Sequence, residues 1–412
     1  MVREISACRM CEETELEKVL DLGVQVLTGV FPRLGEPSPP SGPLVLVKCV
    51  AEKGCGLVQL RHSVDGLEMY GQNYGYRSGL NRTIAEHLRA IVENLDRRVT
   101  VQPGDIVLDI GSNDGTLLSF YDRRTTRVGI DPTASKFRSM YANDDLVVAD
   151  FFSAARFQQA AGGKARLITS IAMVYDLEQP RRFVEDIREI LAPDGLWCFE
   201  QSYLPSMLRA NAYDTVCHEH LEYYGALQIE WLLQRSGLRM VDIEKNSVNG
   251  GSFLVVAAHR DSPYQETASV LAVLNEERSE EPGSLRSLKE FASRVEAHRE
   301  GLTSLLASTI KAGRKIYGYG ASTKGNVILQ YCRIGPETIP FIAEVNDDKF
   351  GRMTPGTCIP IISETEARQR HPDVFLVMPW HFRDFVCDKE RDYLNRGGQL
   401  LFPLPKIELV SA

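Results

Sequence analysis

The sequence has no long apolar run and no surplus of positive charge. No segment of the 412 residues approaches the ~18 apolar residues of a membrane span. The first ten residues, MVREISACRM, lack the apolar core of a signal peptide. Lys and Arg number 47 against 55 Asp and Glu, which gives a formal net charge of −8. We therefore expect a cytoplasmic protein without a membrane or nucleic-acid partner.

The odd count of nine cysteines does not suggest a disulfide scaffold, but four of them come before residue 56. Cys8 and Cys11 form a CxxC pair, and Cys49 and Cys55 are separated by five residues. Four thiolates can hold one tetrahedral structural zinc, and a metal would stabilise a short segment rich in Pro and Gly. We predict such a zinc site. Because the second pair is unusually wide, ordinary reduced thiols or a redox CxxC remain alternatives.

Residues 106–116, IVLDIGSNDGT, are an apolar strand followed by a glycine turn. The pattern predicts a strand that reaches Asp109, a turn through Gly111, and a helix that opens at residues 114–118. In open α/β sheets a ligand binds outside the carboxyl ends of the strands. The turn therefore predicts a cofactor site, and the absence of Gly-x-Gly-x-x-Gly disfavours a dinucleotide.

Strand and helix signals alternate after this turn, which predicts a doubly wound parallel sheet. A terminal antiparallel hairpin over 238–243 and 252–258 closes it. The further predicted strands are residues 127–131, 146–150, 165–175 and 196–200, with helices over 81–98, 181–191 and 229–236.

A second strand and glycine turn, KIYGYG, begins at residue 315 after charged helices over 264–312. Ser322, Thr323 and Lys324 follow at a helix start, where free N–H groups and the dipole favour an anion such as phosphate. The order of residues is not that of a Walker A loop, and a Ser322 cap without a ligand is the alternative. Further strands are predicted over residues 340–345, 373–378 and 399–403, with Trp380 and His381 just past a strand end.

The densest group of reactive side chains is VCHEHLEYY, residues 216–224. It contains two histidines, two acids and two tyrosines. HEH is not the HExxH of zinc hydrolases, so an acid–base site is favoured, with a structural loop as the alternative. Residues 69–79, rich in Tyr and Gly, are either a lid over the cofactor cleft or a surface loop.

LDIGSNDG, the acid that ends the second strand, Asp150-Phe-Phe and the closing hairpin together resemble a class I S-adenosylmethionine-dependent methyltransferase. The resemblance implies that the glycine turn holds the methionine part, that Asp131 accepts both ribose hydroxyls, and that Asp150 and Phe151 border the adenine. A helix cap before Pro132 is the alternative role for Asp131. The full predicted cofactor set is Tyr74, Ser78, Asp109, Gly111, Asn113, Gly115, Asp131, Pro132, Asp150, Phe151 and Phe152.

The whole chain resembles the C-methyltransferases that act on nucleotide-linked 4-keto-deoxysugars, most specifically in CGLVQL after Cys55, Tyr74–Ser78, Glu219-His220 and YGYGASTKG. The resemblance implies an α/β protein with an N-terminal zinc-binding module and lid (1–80), a central class I methyltransferase Rossmann-like domain (81–262), and a helical linker with a C-terminal Rossmann-like domain (263–412). Its expected partner is a thymidine-diphosphate sugar, and its expected state is a monomer or weak dimer.

The same resemblance implies a mechanism. His220, oriented by Glu219, removes the proton at C3, or alternatively C5, while Tyr76 stabilises the enolate and Tyr223 completes the acid–base site. The implied substrate-binding residues are Ser322, Thr323, Lys324, Asn346, Trp380 and His381. Tyr175-Asp176 departs from the family, because some relatives place a histidine there. An O- or N-methyltransferase is the alternative.

Overall fold

The computed structural model describes residues 2–66, 69 and 77–412, and its strands in those ranges form four sheets. Predicted residues Tyr74 and Tyr76 lie outside the described residues. In the described ranges, no helix has the length and the apolar character needed to cross a bilayer.

The N-terminal part is an antiparallel sheet with one buried face. Leu44, Leu46 and Val47 in the second of its strands are at most 1% exposed. Its strands are β2 (Leu16–Val26), β3 (Ser41–Cys49) and β4 (Val58–Leu60), beside a small ribbon of β1 (Arg3–Glu4) and β5 (His62–Ser63). A fourth strand of the sheet, Glu222–Tyr223, comes from the 216–224 segment and pairs with β4.

The central part is a seven-stranded sheet of the predicted doubly wound type. Its strand order is β12-β13-β10-β9-β6-β7-β8, and only the pairs that involve β12 and β13 are antiparallel. With the Glu222–Tyr223 strand as β11, the strands are β6 (Ile106–Ile110), β7 (Thr126–Ile130), β8 (Leu146–Val148), β9 (Ala165–Ile171), β10 (Leu191–Ser202), β12 (Leu238–Asn246) and β13 (Ser252–His259). The closing hairpin is confirmed.

Helices cover the two faces of this sheet. In α1 (Arg82–Arg98), Leu88, Ile91, Val92 and Leu95 are buried, at the spacing of one helical face. The Asn81 side chain begins this helix by accepting from the Thr83 N–H at 2.9 Å. The others are α2 (Ala154–Ala161), α3 (Pro180–Ile190), α4 (Leu204–Arg209) and α5 (Ala226–Arg235).

Two local predictions in the central part are wrong. The glycine turn does not open a helix at residues 114–118; a single 3-10 turn, Leu118–Phe120, follows it. The Asp114 carboxylate accepts from the Thr116 hydroxyl at 2.6 Å, and such side-chain bonds compete with helical backbone bonds. The strand predicted to reach residue 175 ends at Ile171, because Ala172 takes a left-handed conformation with φ +55°.

The C-terminal part is a second Rossmann-like unit, as predicted. Its strand order is β16-β15-β14-β17-β18-β19, with only β19 antiparallel. The strands are β14 (Ile316–Tyr319), β15 (Ile342–Glu344), β16 (Ile361–Ser363), β17 (Val374–Val377), β18 (Gln399–Phe402) and β19 (Glu408–Val410), of which β16 and β19 were not predicted. The helices are α6 (Ala268–Glu280), α7 (Leu285–Lys311), α8 (Thr323–Tyr331), α9 (Glu364–Gln369), α10 (Arg383–Lys389) and α11 (Arg391–Asn395).

Helix α8 joins the C-terminal unit to the N-terminal sheet. The Asn326 amide donates to the Thr28 carbonyl at 2.9 Å, and Gln330 exchanges two hydrogen bonds with the backbone of Val26 at 2.8 and 3.1 Å. One apolar cluster continues from β2 and β3 through residues 204–223 into β14 and β17. The three parts therefore meet around the 216–224 segment, whereas the boundaries at 80/81 and 262/263 stay predictions.

Candidate active site

The four N-terminal cysteines converge on one point. Their sulfurs all lie within 4.8 Å of one another, with 3.5 Å between Cys8 and Cys55 and 3.5 Å between Cys11 and Cys49. A Zn–S bond of about 2.3 Å puts tetrahedral sulfurs about 3.8 Å apart, so the cluster fits zinc. The Gln59 amide also donates to the Cys8 sulfur at 3.0 Å, as is typical around a thiolate. Four sulfur ligands leave no open position, so the metal is structural.

The glycine turn after β6 is held by the acid after β7. Gly111 and Gly115 have φ near +75°, where a side chain is disfavoured. Asp131 Oδ2 accepts from the Asn113 N–H at 2.9 Å, and Oδ1 accepts from the Thr133 N–H at 2.6 Å across Pro132. Asp131 therefore caps the following turn, which was the alternative interpretation. Oδ1 also accepts from the Thr133 hydroxyl at 2.5 Å, so within the described residues Oδ2 is the oxygen that keeps a lone pair for a ribose hydroxyl of S-adenosylmethionine.

Asp109 is a buried carboxyl group at the start of the turn. It is 3% exposed, and its Oδ1 accepts from the Thr169 hydroxyl at 2.7 Å. Burial raises its pKa to about 7, because removal from water disfavours the charged form more than the Thr169 bond favours it. The hydroxyl of Tyr141 donates to the Asn113 carbonyl at 2.8 Å and so fixes the turn from its other side.

The residues after the predicted lid rest on the glycine turn. The Ser78 N–H donates to Asn113 Oδ1 at 3.0 Å, and the Gly79 N–H donates to Asp114 Oδ2 at 3.0 Å. Arg77 adds its guanidinium 3.8 Å from the Asp114 carboxylate. Ser78 is thus brought beside the turn for which it was predicted.

The predicted adenine border divides into two kinds of residue. Phe151 is 42% exposed, and Asp150 carries an ion pair with Arg156 at 2.6 Å. Phe152 instead packs its ring against Phe183, with 5.2 Å between the ring centroids. Asp150 and Phe151 can face a ligand, whereas Phe152 supports the interior.

His220 is fixed by a backbone carbonyl. Its Nδ1 lies 2.8 Å from the Thr215 oxygen, and because a carbonyl only accepts, we assign the proton to Nδ1 and a lone pair to Nε2. The Tyr175 ring meets the imidazole edge-on at 4.4 Å. Burial of the imidazole, and to a lesser extent the positive charge of Lys324, lower the pKa of His220 to about 4. The residue as a whole is half-buried, and with its lowered pKa His220 is a neutral proton acceptor at pH 7.

Glu219 points toward the N-terminal part. The Thr28 hydroxyl lies 3.5 Å from its Oε2, and a Cβ on Gly29 would lie only 2.8 Å from its Oε1. Desolvation raises the pKa of Glu219. The bond that fixes the His220 ring thus comes from Thr215, whereas Glu219 had been expected to supply it. The Tyr223 hydroxyl is 3.4 Å from the same carbonyl, and burial raises the pKa of this phenol well above its usual range.

The predicted substrate residues of the C-terminal unit mostly bind the protein itself. Ser322 Oγ accepts from the Gly325 N–H at 3.0 Å, which is the predicted alternative of a helix cap, and Asn346 Oδ1 accepts from the Asp348 N–H at 3.0 Å. The indole N–H of Trp380 donates to Asp214 Oδ2 at 2.7 Å. His381 is packed against Trp380 edge-on at 5.7 Å, and Thr323 begins α8.

Lys324 was predicted to bind phosphate, but its ammonium donates to the Asn249 carbonyl at 2.7 Å. Helix α8, which carries Lys324, packs on the 3-10 turn Tyr213–Thr215 that precedes the histidines, and the positive charge of Lys324 acts to lower the pKa of Asp214 and of His220. Sequence reasoning missed Asp214, Thr215, Thr28 and Asn249. Asp214 and Thr215 lie close before the histidines and could have been considered with them. No local signal marks Thr28 or Asn249, which are far away in sequence.

Known protein families match three successive segments of the chain. Three protein-family models match in succession: a zinc binding domain over residues 8–70, a methyltransferase domain over 77–243, and a C-methyltransferase C-terminal domain over 247–405. The matched methyltransferase domain, the doubly wound sheet and the cysteine cluster define an S-adenosylmethionine-dependent methyltransferase with a structural zinc module.

The chain is 31% identical to the C-methyltransferase NovU of Streptomyces niveus, over 100% of this chain and 98% of that protein. It therefore belongs to the S-adenosylmethionine-dependent C-methyltransferase family.

Solved structures resemble about two fifths of the chain. A methyltransferase in complex with the Trm112 activator of Haloferax volcanii covers 44% of this chain and 94% of its own, with 13% identity and a TM-score of 0.36. Magnesium protoporphyrin IX methyltransferase of Synechocystis PCC 6803 covers 42% of this chain and 79% of its own, with 14% identity and a TM-score of 0.33.

Proposed function

We propose that the enzyme transfers the methyl group of S-adenosylmethionine to a ring carbon beside the ketone of a nucleotide-linked 4-keto-deoxysugar. The predicted carbon is C3, with C5 as the alternative, and thymidine diphosphate is the expected nucleotide. The observation that carries the proposal is the state of His220, which is neutral, half-buried and held with Nε2 available. It lies where the three parts of the chain meet.

A carbon beside a ketone is acidic because the carbanion formed by loss of its proton is delocalised onto the carbonyl oxygen. In the proposed reaction, Nε2 of His220 takes this proton, and the electron pair of the C–H bond becomes the enolate. S-adenosylmethionine, when bound, supplies the methyl group as an electrophile. Held by the glycine turn and Asp131, S-adenosylmethionine would give its methyl group to the enolate carbon and would leave as the neutral thioether, and His220 would later return its proton to water.

The hydroxyl of Tyr223 can serve the enolate oxygen. Burial keeps Tyr223 protonated, so its hydroxyl can act only as a donor toward a negative oxygen at neutral pH. Tyr76 has the same proposed role, by resemblance to the family. Glu219, with its raised pKa, would supply a further polar contact between the histidine segment and Thr28.

The nucleotide is assigned to the C-terminal unit. Support comes from the start of α8, where N–H groups at Thr323 follow the glycine turn and favour an anion. His381 and the exposed loop at Asn346 lie at the carboxyl ends of β17 and β15, the edge where ligands of such sheets bind. Membership of the C-methyltransferase family argues against an O- or N-methyl acceptor.

The test is turnover with S-adenosylmethionine and a thymidine-diphosphate 4-keto-2,6-dideoxyhexose, with NMR to locate the new methyl carbon. His220→Asn should lower kcat at least 100-fold, because the amide can keep the Thr215 bond but has no basic nitrogen. Its affinity for S-adenosylmethionine, measured by calorimetry, should stay unchanged. His218→Asn is the matched control: His218 is buried, bonds the Gly42 carbonyl at 3.0 Å, and should affect turnover less than fivefold.

In deuterated water the wild type should also exchange the proton on the reacting carbon. Turnover of His220→Asn at near wild-type rate would show that another group is the base. Failure of the wild type to exchange or methylate the sugar, with S-adenosylmethionine still bound, would instead reject the acceptor.

A further inference from the structure

Arg9 directly follows the zinc ligand Cys8 in the chain, and its side chain is only 2% exposed although it is a cation. Its guanidinium donates to the Ser63 hydroxyl at 2.8 Å, to the Gln59 amide oxygen at 3.3 Å and to the Leu60 carbonyl. Gln59 also accepts from the Arg9 N–H at 3.1 Å and donates to the Cys8 sulfur at 3.0 Å. The arginine and one zinc ligand are therefore held by the same glutamine.

The remaining nitrogen of the guanidinium, Nε, faces two acidic side chains. It lies 3.9 Å from Oε1 of Glu222 and 3.8 Å from Oε2 of Glu178. The Glu222 side chain is 0% exposed, and within the described part of the chain its two oxygens accept no hydrogen bond. Burial raises the pKa of Glu222, and the charge of Arg9 opposes this rise. In either protonation state the carboxyl group keeps an oxygen that can face the guanidinium, so the two buried groups are partners.

Both acids belong to segments that frame His220. Glu222 begins β11, two residues after His220, and this strand pairs with β4 of the N-terminal sheet. Glu178 comes three residues after Tyr175, whose ring meets the imidazole of His220 edge-on at 4.4 Å. The Leu221 N–H also donates to the Tyr175 carbonyl at 2.8 Å, which joins the two segments directly. One buried guanidinium therefore contacts both segments that set the distance between the two rings.

We propose that Arg9 is a positioning residue of the acid–base site. Its guanidinium holds together the segments that contain Glu222 and Glu178. This contact keeps the Tyr175 ring against the imidazole of His220, which is the base in the proposed function on which the inference rests. A ring packed edge-on limits how far the imidazole can rotate about its hydrogen bond to the backbone. The N-terminal module thus serves the reaction by fixing the base, in addition to holding its metal.

The experiment uses the ring current of Tyr175 as a measure of its position. An aromatic ring shifts the NMR signals of protons that lie close to it, so the imidazole proton signals of His220 depend on where Tyr175 lies. They are recorded for histidine-labelled, zinc-loaded full-length protein without sugar. His220→Asn assigns the signals, and Tyr175→Leu defines the complete loss of the ring-current shift. In Arg9→Met the His220 signals should move at least halfway toward those of Tyr175→Leu.

Kinetics separate the positioning of the base from the binding of the substrates. In Arg9→Met, kcat should fall about tenfold, because a small displacement of a reacting group lowers the rate of the chemical step. The KM for the sugar and the Kd for S-adenosylmethionine should stay unchanged, because the arginine lies in the zinc module and not at the glycine turn. The zinc content should also stay unchanged, because the four cysteines and Gln59 are retained.

A double variant distinguishes positioning from stability. Arg9→Met leaves the Glu222 carboxyl group buried without its partner and should lower the melting temperature. Combining it with Glu222→Met makes both side chains apolar and should recover most of that loss. The His220 signals and kcat should stay as in the single variant, because the contact is still missing. Recovery of the signals together with the melting temperature would overturn the proposal, because Arg9 would then only stabilise the fold.

Arg61→Met is the matched control. Arg61 belongs to the same module, donates to the Leu16 carbonyl at 3.4 Å and lies 3.7 Å from Glu4, so its contacts stay inside the module. It should change neither the His220 signals nor kcat.

Signals of His220 in Arg9→Met equal to those of the wild type would also overturn the proposal. Displaced signals with unchanged turnover would support the positioning role and reject His220 as the base, so the two claims are tested separately. If Arg9→Met does not fold, as judged by circular dichroism, the double variant with Glu222→Met carries the same measurements.

Discussion

The two Rossmann-like units of this enzyme contain the same glycine turn, held in the same way. In the central unit, Asp131 after the second strand accepts from the Asn113 N–H at 2.9 Å. In the C-terminal unit, Glu344 at the end of the second strand accepts from the Ala321 N–H at 2.8 Å. Gly111 and Gly320 have φ of +74° and +80°. Both units therefore have a glycine turn that is held by an acidic side chain, and this arrangement does not by itself identify a ligand site.

The units differ two residues before that glycine. The central unit has Asp109, buried with a pKa raised to about 7. The C-terminal unit has Gly318, where even a Cβ would lie 2.7 Å from the Ile342 side chain. A buried ionisable group costs stability, so the Asp109 carboxyl group serves the function of the central unit rather than its folding. The C-terminal turn leads directly into α8, which docks on the rest of the molecule.

The largest effect is expected from Asp109→Asn. Between pH 4 and 7 the native carboxyl holds a proton that the unfolded chain has lost, so wild-type stability falls as pH rises through this window. The asparagine variant lacks this loss and should be more stable by about 4 kcal/mol above pH 7, with no gain below pH 4. Urea unfolding at pH 5 and 8 measures it, and Asp261→Asn, at an exposed site, should change nothing. Equal gains at both pH values would contradict a titrating Asp109.

A smaller effect is expected on cofactor binding from Asp131→Asn. Its Kd for S-adenosylmethionine should rise about 10- to 100-fold, because a hydrogen bond to a charged acceptor contributes about 1.5–3 kcal/mol. Calorimetry measures the change. Glu344→Gln makes the corresponding substitution in the other unit and should leave this Kd unchanged. The two turns would not be functionally distinct if both variants weakened the cofactor equally.

The smallest effect is expected from Glu344→Gln on stability. This carboxylate also accepts from the N–H groups of Val345 at 2.7 Å and Asn346 at 3.0 Å, and a neutral amide can replace only part of these bonds. The melting temperature should fall in line with a loss of about 1 kcal/mol. A calorimetric scan measures it, with Asp348→Asn, exposed beside the same turn, as the control. An unchanged melting temperature would show that the turn holds without its acid.

Much of the fold was predictable because its signals are local. The seven-stranded sheet with its closing hairpin followed from alternating apolar runs, and α1 from its buried face at Leu88, Ile91, Val92 and Leu95. The failures were also local in cause. Asp114 diverted the chain from a helix by bonding Thr116, and Ala172 ended β9 early.

The acid–base segment was recognisable from its composition, but its partners were not. The sequence placed Glu219 next to His220 and suggested that one orients the other. In the structure the Thr215 carbonyl fixes the ring, and Glu219 approaches Thr28, nearly two hundred residues earlier in the chain.

The sequence by itself determined the two glycine turns and the segment that carries the base, because each is encoded within a few neighbouring residues. It also determined the cysteine cluster, because four thiolates can bind one zinc ion although the two pairs are separated in the chain. Only the tertiary structure decided where the long side chains go. Lys324 reaches Asn249 and Trp380 reaches Asp214, because the packing of α8 on β2 and on the turn Tyr213–Thr215 sets which polar groups lose water together. A buried polar group must find its partner among whatever the fold brings near, and that choice is made between elements distant in the chain.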